Sequence, residues 1–201
     1  MSELEFEART IITKEEYEKL LCFYVQQYPS HKITDQKNIY LDTKDQQIEK
    51  LGNVLRIRSY KDKRPTKLTY KFKNPSNKCD EEVTQVIDIT TELKLLQEGL
   101  LPNGEVKNAL AVSNISTEKL YFFGEIKTHR FEIFEGKNTI VIDQNEYHGV
   151  VDYNLEVESD SREKAEAILK NICSSFGIRI ERDPSTKSQR TIRRYLQVNK
   201  K

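Results

Sequence analysis

Short runs of alternating apolar and polar residues dominate the chain and predict a β-rich fold. The segments ELEFEAR, at the start of 3–12, and VVDYNLEVE, at 150–158, place apolar side chains on one face and charged or polar side chains on the other. A period of two is typical of strands with one buried face. Six further strands are predicted at 37–43, 54–60, 66–73, 81–90, 120–134 and 139–143. Because mostly short turns join them, we expect a largely antiparallel sheet.

Helical spacing and capping residues predict four or five helices between these strands. Thr13 and Glu16 form a capping box that opens the first, which ends before Pro29. Two follow at about 91–98, ended by Gly99, and about 104–112. A clear helix over 161–176 follows Asp160 and stops at Gly177. The last is predicted to begin at Asp183-Pro184, with proline in its first position.

Like charges recur at every second residue of four strands, and their signs are sorted along the chain. Acidic pairs lie in the first and last strands and basic pairs lie between: Glu5/Glu7, Arg56/Arg58, Lys71/Lys73 and Glu156/Glu158. Same-face neighbours are about 6.6 Å apart, where like charges repel by about 0.6 kcal/mol in water but about 2.5 kcal/mol at an effective dielectric of about 20. A solvated face tolerates this pattern, whereas an enclosed face requires counter-charges or bound ions. In a closed sheet, the acids could hold a divalent cation and the basic residues a polyanion.

The amino-acid composition argues against several classes of function. The 201 residues suggest one domain, 1–201. The 33 basic and 32 acidic side chains nearly cancel, which argues against a nucleic-acid partner. No apolar run approaches the length of a membrane span, so no membrane partner is expected. Cys22, Cys79 and Cys173 are widely spaced and lack a CxxC motif, and the acidic N-terminus has no signal-peptide pattern, so we expect a cytoplasmic protein.

An ordered set of segments resembles the CYTH domain of the triphosphate tunnel metalloenzyme superfamily. EFEAR at 5–9 is similar to its opening ExExK signature, and the likeness continues through LRIR (55–58), LTYK (68–71), Arg130 in GEIKTHR, and Asp143 and Tyr147, to DYNLEVE (152–158) and STKSQR (185–190). Each piece is weak alone, but the ordered set is fairly specific and covers essentially the whole chain. One departure is Arg9, which occupies the usual lysine position and replaces a point charge with a planar fork.

The resemblance implies an α+β fold in which an eight-stranded antiparallel β-barrel forms a tunnel with helices packed outside. It further implies a metal-dependent triphosphatase that requires Mg²⁺ or Mn²⁺. The expected partner is its small-molecule substrate, either inorganic triphosphate or a small organic triphosphate. A class IV-type adenylate cyclase, and a non-catalytic nucleotide- or polyphosphate-binding module, remain alternatives. The physiological substrate, the number of metal ions and the oligomeric state stay open.

The same resemblance assigns the candidate site residues. The metal candidates are the four strand glutamates, of which the first, second and last are also expected to be catalytic: Glu5, Glu7, Glu156 and Glu158. The phosphate candidates are basic: Arg9, Arg56, Arg58, Lys71, Arg130, Lys187 and Arg190. Four further candidates are two acids, which lie either beside the ligands or in solvent, and two lysines, which lie on the Lys71 face but match the family motif less closely: Glu82 and Asp143, and Lys67 and Lys73. No serine, cysteine or histidine nucleophile is visible, which favours catalysis by positioning and charge neutralisation.

Overall fold

The computed structural model of the protein describes residues 6–73, 80–181 and 185–199, which contain eight strands and six helices. The strands are β1 Phe6–Ile12, β2 Lys32–Asp42, β3 Val54–Tyr60, β4 Thr66–Lys73, β5 Asp80–Ile87, β6 Tyr121–Glu135, β7 Asn138–Tyr147 and β8 Val150–Ser159. The helices are α1 Lys14–Gln27, α2 Gln47–Lys50, α3 Ile89–Glu98, α4 Glu105–Val112, α5 Arg162–Phe176 and α6 Lys187–Asn199. None of these helices is long and apolar enough to cross a membrane.

All eight strands belong to one sheet, in the order β1-β8-β7-β6-β2-β3-β4-β5. The pairs β1–β8, β7–β8, β2–β3, β3–β4 and β4–β5 are antiparallel. The predicted eight-stranded antiparallel sheet, accompanied by helices, is therefore confirmed.

The described residues divide into two compact units, and β2 and β6 contribute to both. The first unit comprises the described residues of 1–35 and 128–185, and the second those of 36–127 and 186–201. In the first unit, α1 and α5 pack on the strands around a core that includes Leu20, Leu155 and Ala165. In the second, α4 packs on β4 and β5 over a core that includes Leu68 and Val106. The prediction of a single domain over 1–201 stays a prediction.

Several helix ends follow the capping signals in the sequence. Thr13 and Glu16 form the predicted capping box of α1. Gly99 and Gly177 end α3 and α5 with φ values of 75° and 69°. In this left-handed region a side chain bearing Cβ is disfavoured and glycine is not. Ser161, rather than the predicted Asp160, caps α5, because its side chain accepts a hydrogen bond from the Lys164 amide.

The start predicted for the last helix is wrong. Asp183 and Pro184 lie outside the described residues, but Ser185 and Thr186 are not helical and α6 begins at Lys187. Thr186 provides the cap, since its hydroxyl accepts from the Gln189 amide at 3.2 Å and its own amide donates to Gln189 Oε1 at 2.9 Å. This reciprocal pair of hydrogen bonds satisfies the backbone amides of Thr186 and Gln189 at the start of α6.

The short helix α2 was not predicted because a tertiary contact stabilises it. Asp42, the last residue of β2, is buried and accepts hydrogen bonds from the amides of Ile48 and Glu49, both at 2.9 Å. Burial raises the pKa of Asp42, and these backbone donors oppose the rise. The carboxylate thus serves as a cap from five residues before the helix, a distance at which the local pattern carries no signal.

We expect Gly99→Ala to destabilise the protein by about 2 kcal/mol or more. A Cβ at Gly99 would lie 2.3 Å from the carbonyl oxygen of Leu120, and the φ of +75° is itself unfavourable for alanine. Thermal unfolding should show a melting temperature lower by roughly 4–8 °C. Gly52→Ala is the matched control, since Gly52 has a φ of +71° but no atom within 4 Å of the added Cβ. An equal loss in both variants would contradict the proposed clash.

Candidate active site

The polar face of the first unit collects the acidic candidates of β1 and β8. In the register of this pair, Glu7 lies opposite Glu158 and Arg9 lies opposite Glu156, while Ala8 lies opposite Val157. Ala8 and Val157 belong to the apolar core of this unit. Because side chains alternate along a strand, the four charged residues lie together on the other face. Glu5 was predicted to join them, but it lies outside the described residues.

Acidic side chains that lie opposite each other on β1 and β8 repel, and this repulsion destabilises the sheet unless cations lie nearby. Glu7 and Glu158 are direct cross-strand neighbours, an arrangement that destabilises a sheet when both carry the same charge. Arg9 supplies part of the compensation, because its Nε lies 2.9 Å from Glu7 Oε1. The residue that departs from the family's lysine is therefore placed beside a predicted metal ligand.

Arg130 connects two further acids on the same face. Its Nε donates to Asp143 Oδ1 at 3.0 Å, and its Nη2 donates to Asp143 Oδ2 at 2.9 Å and to Glu156 Oε2 at 3.3 Å. Asp143 is fully buried and Glu156 is 5% exposed. Burial by itself would lower the pKa of Arg130. The neighbouring carboxylates of Asp143 and Glu156 have the larger, opposite effect, so the pKa lies above its usual value. The Arg130 guanidinium therefore stays charged at neutral pH and bridges Asp143 and Glu156.

Asparagines form a second hydrogen-bond network on the same face, and they are not among the candidates from the sequence. The buried Asn145 accepts a hydrogen bond from Thr128 at 2.8 Å and donates to Asn154 at 2.7 Å and to Asp152 at 3.0 Å. Tyr147 donates to the same aspartate at 2.6 Å. The period of two in β7 and β8 assigns these residues to the polar face, but an uncharged amide does not by itself indicate a metal or phosphate site.

The oxygen donors of this face fit a hard divalent cation. Within 6–73, 80–181 and 185–199, no group of three or more acidic, histidine or cysteine side chains is arranged to hold a metal ion. Glu7 and Glu158 nevertheless offer two neighbouring carboxylates. Mg²⁺ usually takes one or two carboxylates and keeps several waters, so two such ligands suffice for it.

The polar face of the second unit carries basic residues around a buried tyrosine. In the β2–β3 register, Tyr40 lies opposite Arg56 and Asn38 lies opposite Arg58. Burial raises the pKa of Tyr40, and four nearby cations oppose this rise: Arg56, Lys187, Arg58 and Arg190. The tyrosine is 3% exposed. Two strand arginines and two basic residues of α6, all candidates from the sequence, therefore lie near Tyr40.

Arg56 and Arg58 are held differently. Arg58 Nε donates to Asn38 Oδ1 at 2.8 Å. Arg56 Nη2 lies 3.2 Å from Glu82 Oε1, but its Nε is buried and has no hydrogen-bond partner in the part of the chain that the structure describes. An unsatisfied buried donor is costly, by roughly 1–3 kcal/mol, and more when charged. An acceptor on a bound anion would remove that cost.

The remaining basic candidates lie on β4. Lys71 is opposite Glu82, and Lys67 is opposite Arg58. Both are half-buried, whereas Lys73, at the end of the strand, is exposed. All three alternate with the buried Leu68 and Tyr70 and therefore share the face that carries the arginines, and Glu82 provides a counter-charge there.

Sequence reasoning missed Tyr40, although its signal was present. The segment KNIYLDT predicts a strand, and Ile39 and Leu41 belong to the core of the second unit. Alternation therefore placed Tyr40 on the polar face beside Asn38. Which cations approach it depended on pairing with β3 and on the position of α6.

A model of the CYTH domain matches residues 3–191. The chain belongs to the CYTH domain family. The match includes every candidate site residue named above, from Glu5 to Arg190. This CYTH chain is also 26% identical over 199 residues to the "Putative triphosphatase YjbK" of Bacillus subtilis, a match that covers 99% of this chain and 97% of the relative.

Solved structures share the fold of this CYTH chain. A "putative adenylate cyclase" of Bacillus halodurans is 29% identical, with a TM-score of 0.81 and coverage of 94% of this chain and 97% of that one. The "Putative adenylyl cyclase HpAC1" of Hippeastrum, described as having a dominant triphosphatase activity, is 18% identical, with a TM-score of 0.74 and 92% coverage of both chains. These likenesses support the tunnel fold that the sequence predicted.

Proposed function

We propose that the protein hydrolyses a phosphoanhydride bond of a triphosphate substrate. The convergence of Arg56, Arg58, Lys187 and Arg190 around Tyr40 carries this proposal. Four cations around one buried point are suited to a polyanion, and arginine forks match the geometry of phosphate oxygens. The names of the relatives agree with it, since YjbK and HpAC1 are both described with triphosphatase activity.

The basic residues of the second unit would bind the phosphates in the ground state and in the transition state. Arg56 Nε, buried without a partner among the described residues, would donate to a phosphate oxygen. Arg58, held at 2.8 Å by Asn38, would present its remaining donors in a fixed orientation. Arg190 and Lys187 would add charge from α6, with Lys67 and Lys71 from β4. Fixed donors stabilise the transition state because they need not reorganise as charge moves.

The acidic residues of the first unit would hold Mg²⁺ or Mn²⁺. Glu7 and Glu158 would be ligands, with Glu5 as a further one. Arg130 would hold the Glu156 and Asp143 side chains in one orientation, since it pairs with both at 2.9–3.3 Å. The cation would neutralise phosphate charge and lower the pKa of bound water. A glutamate that is not a ligand would accept a proton from the attacking water.

Phosphate release tests the proposal directly. The purified protein is supplied with inorganic triphosphate, ATP or thiamine triphosphate in the presence of Mg²⁺ or Mn²⁺, and phosphate is measured over time. Sustained release from at least one substrate is expected. Binding of these compounds without any release would instead favour the non-catalytic binding module.

Arg56→Ala should raise KM about 10- to 100-fold with little change in kcat. Charge-assisted hydrogen bonds contribute roughly 1.5–3 kcal/mol, and a contact made equally in ground and transition states affects KM alone. Steady-state kinetics on the best substrate measure this effect. Arg193→Ala, which removes the same charge from an exposed position of α6, is the matched control and should leave KM within about twofold. A similar rise in both variants would show that net charge, not the Arg56 contact, is responsible.

Cyclisation of ATP is the second candidate function, favoured by the description of the Bacillus halodurans structure as a "putative adenylate cyclase". In that reaction the ribose 3′-hydroxyl attacks the α-phosphorus and pyrophosphate leaves. Products separate the two reactions, because hydrolysis of ATP yields ADP or AMP and cyclisation yields cyclic AMP. Chromatography of the nucleotide products alongside the phosphate assay therefore distinguishes them.

We also propose a cytoplasmic location. Cys22 is exposed and Cys173 is buried, and both are free thiols. Free exposed thiols persist where the compartment is reducing. Fractionation of cells that carry a tagged copy of the chain, with the tag compared between the cytoplasmic fraction and the others, tests this location.

A further inference from the structure

An arginine stacks on a tyrosine at the tip of the β3–β4 hairpin in the second unit. The guanidinium carbon of Arg64 lies 3.9 Å from the centroid of the Tyr60 ring. Asp62 fixes this arrangement, because Arg64 Nε lies 2.9 Å from both its carboxylate oxygens and Arg64 Nη2 lies 2.8 Å from Oδ2. The Asp62 carboxylate also accepts the Arg64 amide at 3.0 Å. The planar cation is therefore held in one orientation rather than moving freely in the loop.

The position of this pair relates it to the phosphate candidates. Arg56, Arg58 and Tyr60 are successive same-face residues of β3, since Leu55 and Ile57 are directed into the core. Tyr60 follows Arg58 by about 6.6 Å and Arg56 by about 13 Å. A polyphosphate bound to the two arginines would thus direct whatever group it carries along the strand toward either the start of β3 or the Tyr60–Arg64 pair.

We propose that Tyr60 and Arg64 form a stacking subsite for the planar aromatic group of an organic triphosphate. The inference rests on the proposed function, and it assigns two residues to recognition of the aromatic heterocycle that a nucleoside triphosphate or a similar substrate carries. Aromatic rings and arginine guanidinium planes are the surfaces on which proteins stack bases. One face of the Arg64 guanidinium lies against the Tyr60 ring, and 35% of the Arg64 side chain is exposed to solvent. The subsite would give organic triphosphates an affinity that inorganic triphosphate cannot gain.

Paired binding measurements test the subsite without relying on turnover. Calorimetry with Mg²⁺ compares a non-hydrolysable imido analogue of ATP with the imido analogue of inorganic triphosphate. Tyr60→Leu and Arg64→Lys are each expected to weaken the nucleotide analogue about 10-fold, because stacking of one base contributes on this order. Arg64→Lys keeps the charge but loses the plane. Both variants should bind the inorganic analogue within about twofold of the wild type.

Two controls separate stacking from charge and from folding. Lys63→Ala removes an exposed charge from the same loop and should change both affinities equally. Tyr60→Phe retains an aromatic ring and should bind both analogues like the wild type. Thermal melting of each variant shows whether the hairpin remains folded.

Each outcome decides the proposal. Selective loss of the nucleotide analogue, restored in Tyr60→Phe, supports the subsite. Equal loss of both analogues, or no loss of either, overturns it and leaves the Tyr60–Arg64 pair as a support for the loop. If the wild type binds both analogues and releases no phosphate from any triphosphate, hydrolysis fails as the function, while the selectivity comparison still decides the subsite.

Discussion

Removal of divalent cations is expected to reduce phosphate release to the level of a blank without enzyme. The polar faces of the two units carry carboxylates, amides and basic residues, and the sequence offers no activated nucleophile that could replace a cation in neutralising a triphosphate. Phosphoryl transfer depends mainly on positioning and charge neutralisation. The measurement is phosphate release in excess chelator, followed by addition of Mg²⁺ or Mn²⁺ beyond the chelator concentration, which should restore the rate.

Two further measurements make this result specific. The melting temperature of the chelated protein should show that it remains folded, because both apolar cores are built without metal. Calorimetric titration of Mn²⁺ should show binding to the wild type and weaker binding to the Glu7→Gln and Glu158→Gln variants. Full activity in excess chelator would refute metal dependence. Unchanged Mn²⁺ affinity in both variants would place the cation elsewhere.

Glu158→Gln is expected to lower kcat by about 100-fold or more, with KM changed less than about threefold. Glutamine keeps the shape of the side chain but removes its charge. Because Glu158 lies opposite Glu7 on the polar face, this change weakens the acidic pair that the proposal assigns to the cation. An electrostatic interaction that strengthens as charge moves in the transition state affects kcat more than KM. Glu7→Gln should behave similarly.

Stability measurements distinguish this loss from misfolding. Replacement of one of two opposed acids relieves a cross-strand repulsion, and so the free energy of unfolding should change by less than about 1 kcal/mol. For Glu7→Gln, loss of the Arg9 contact at 2.9 Å opposes this relief. Glu166→Gln, at an exposed position of α5, is the control and should retain wild-type kcat. Wild-type turnover in both Glu7→Gln and Glu158→Gln would show that these glutamates lie outside the active site.

The sheet was predictable because its signals are local. β3 and β4 have the predicted bounds of 54–60 and 66–73, where apolar residues alternate with charged or polar ones over LRIR (55–58) and LTYKFK (68–73). β2 begins earlier than predicted, at Lys32, because KITDQ alternates less clearly and depends on its partners in the sheet. The wrong start of α6 has a different cause: the sequence offers two local signals, the proline at 184 and the Thr186–Gln189 capping pair, and the helix uses the second.

The candidate site divides in the same way. By itself, the sequence determined which strands carry acids and which carry bases, because the period of two assigns a face to each charged residue. Only the tertiary structure decided which charges meet, since strand register and helix position depend on contacts between distant segments. That is why Arg130 is found paired with Asp143 and Glu156, why α6 brings Lys187 and Arg190 near Tyr40, and why the buried Nε of Arg56 has no hydrogen-bond partner among the described residues.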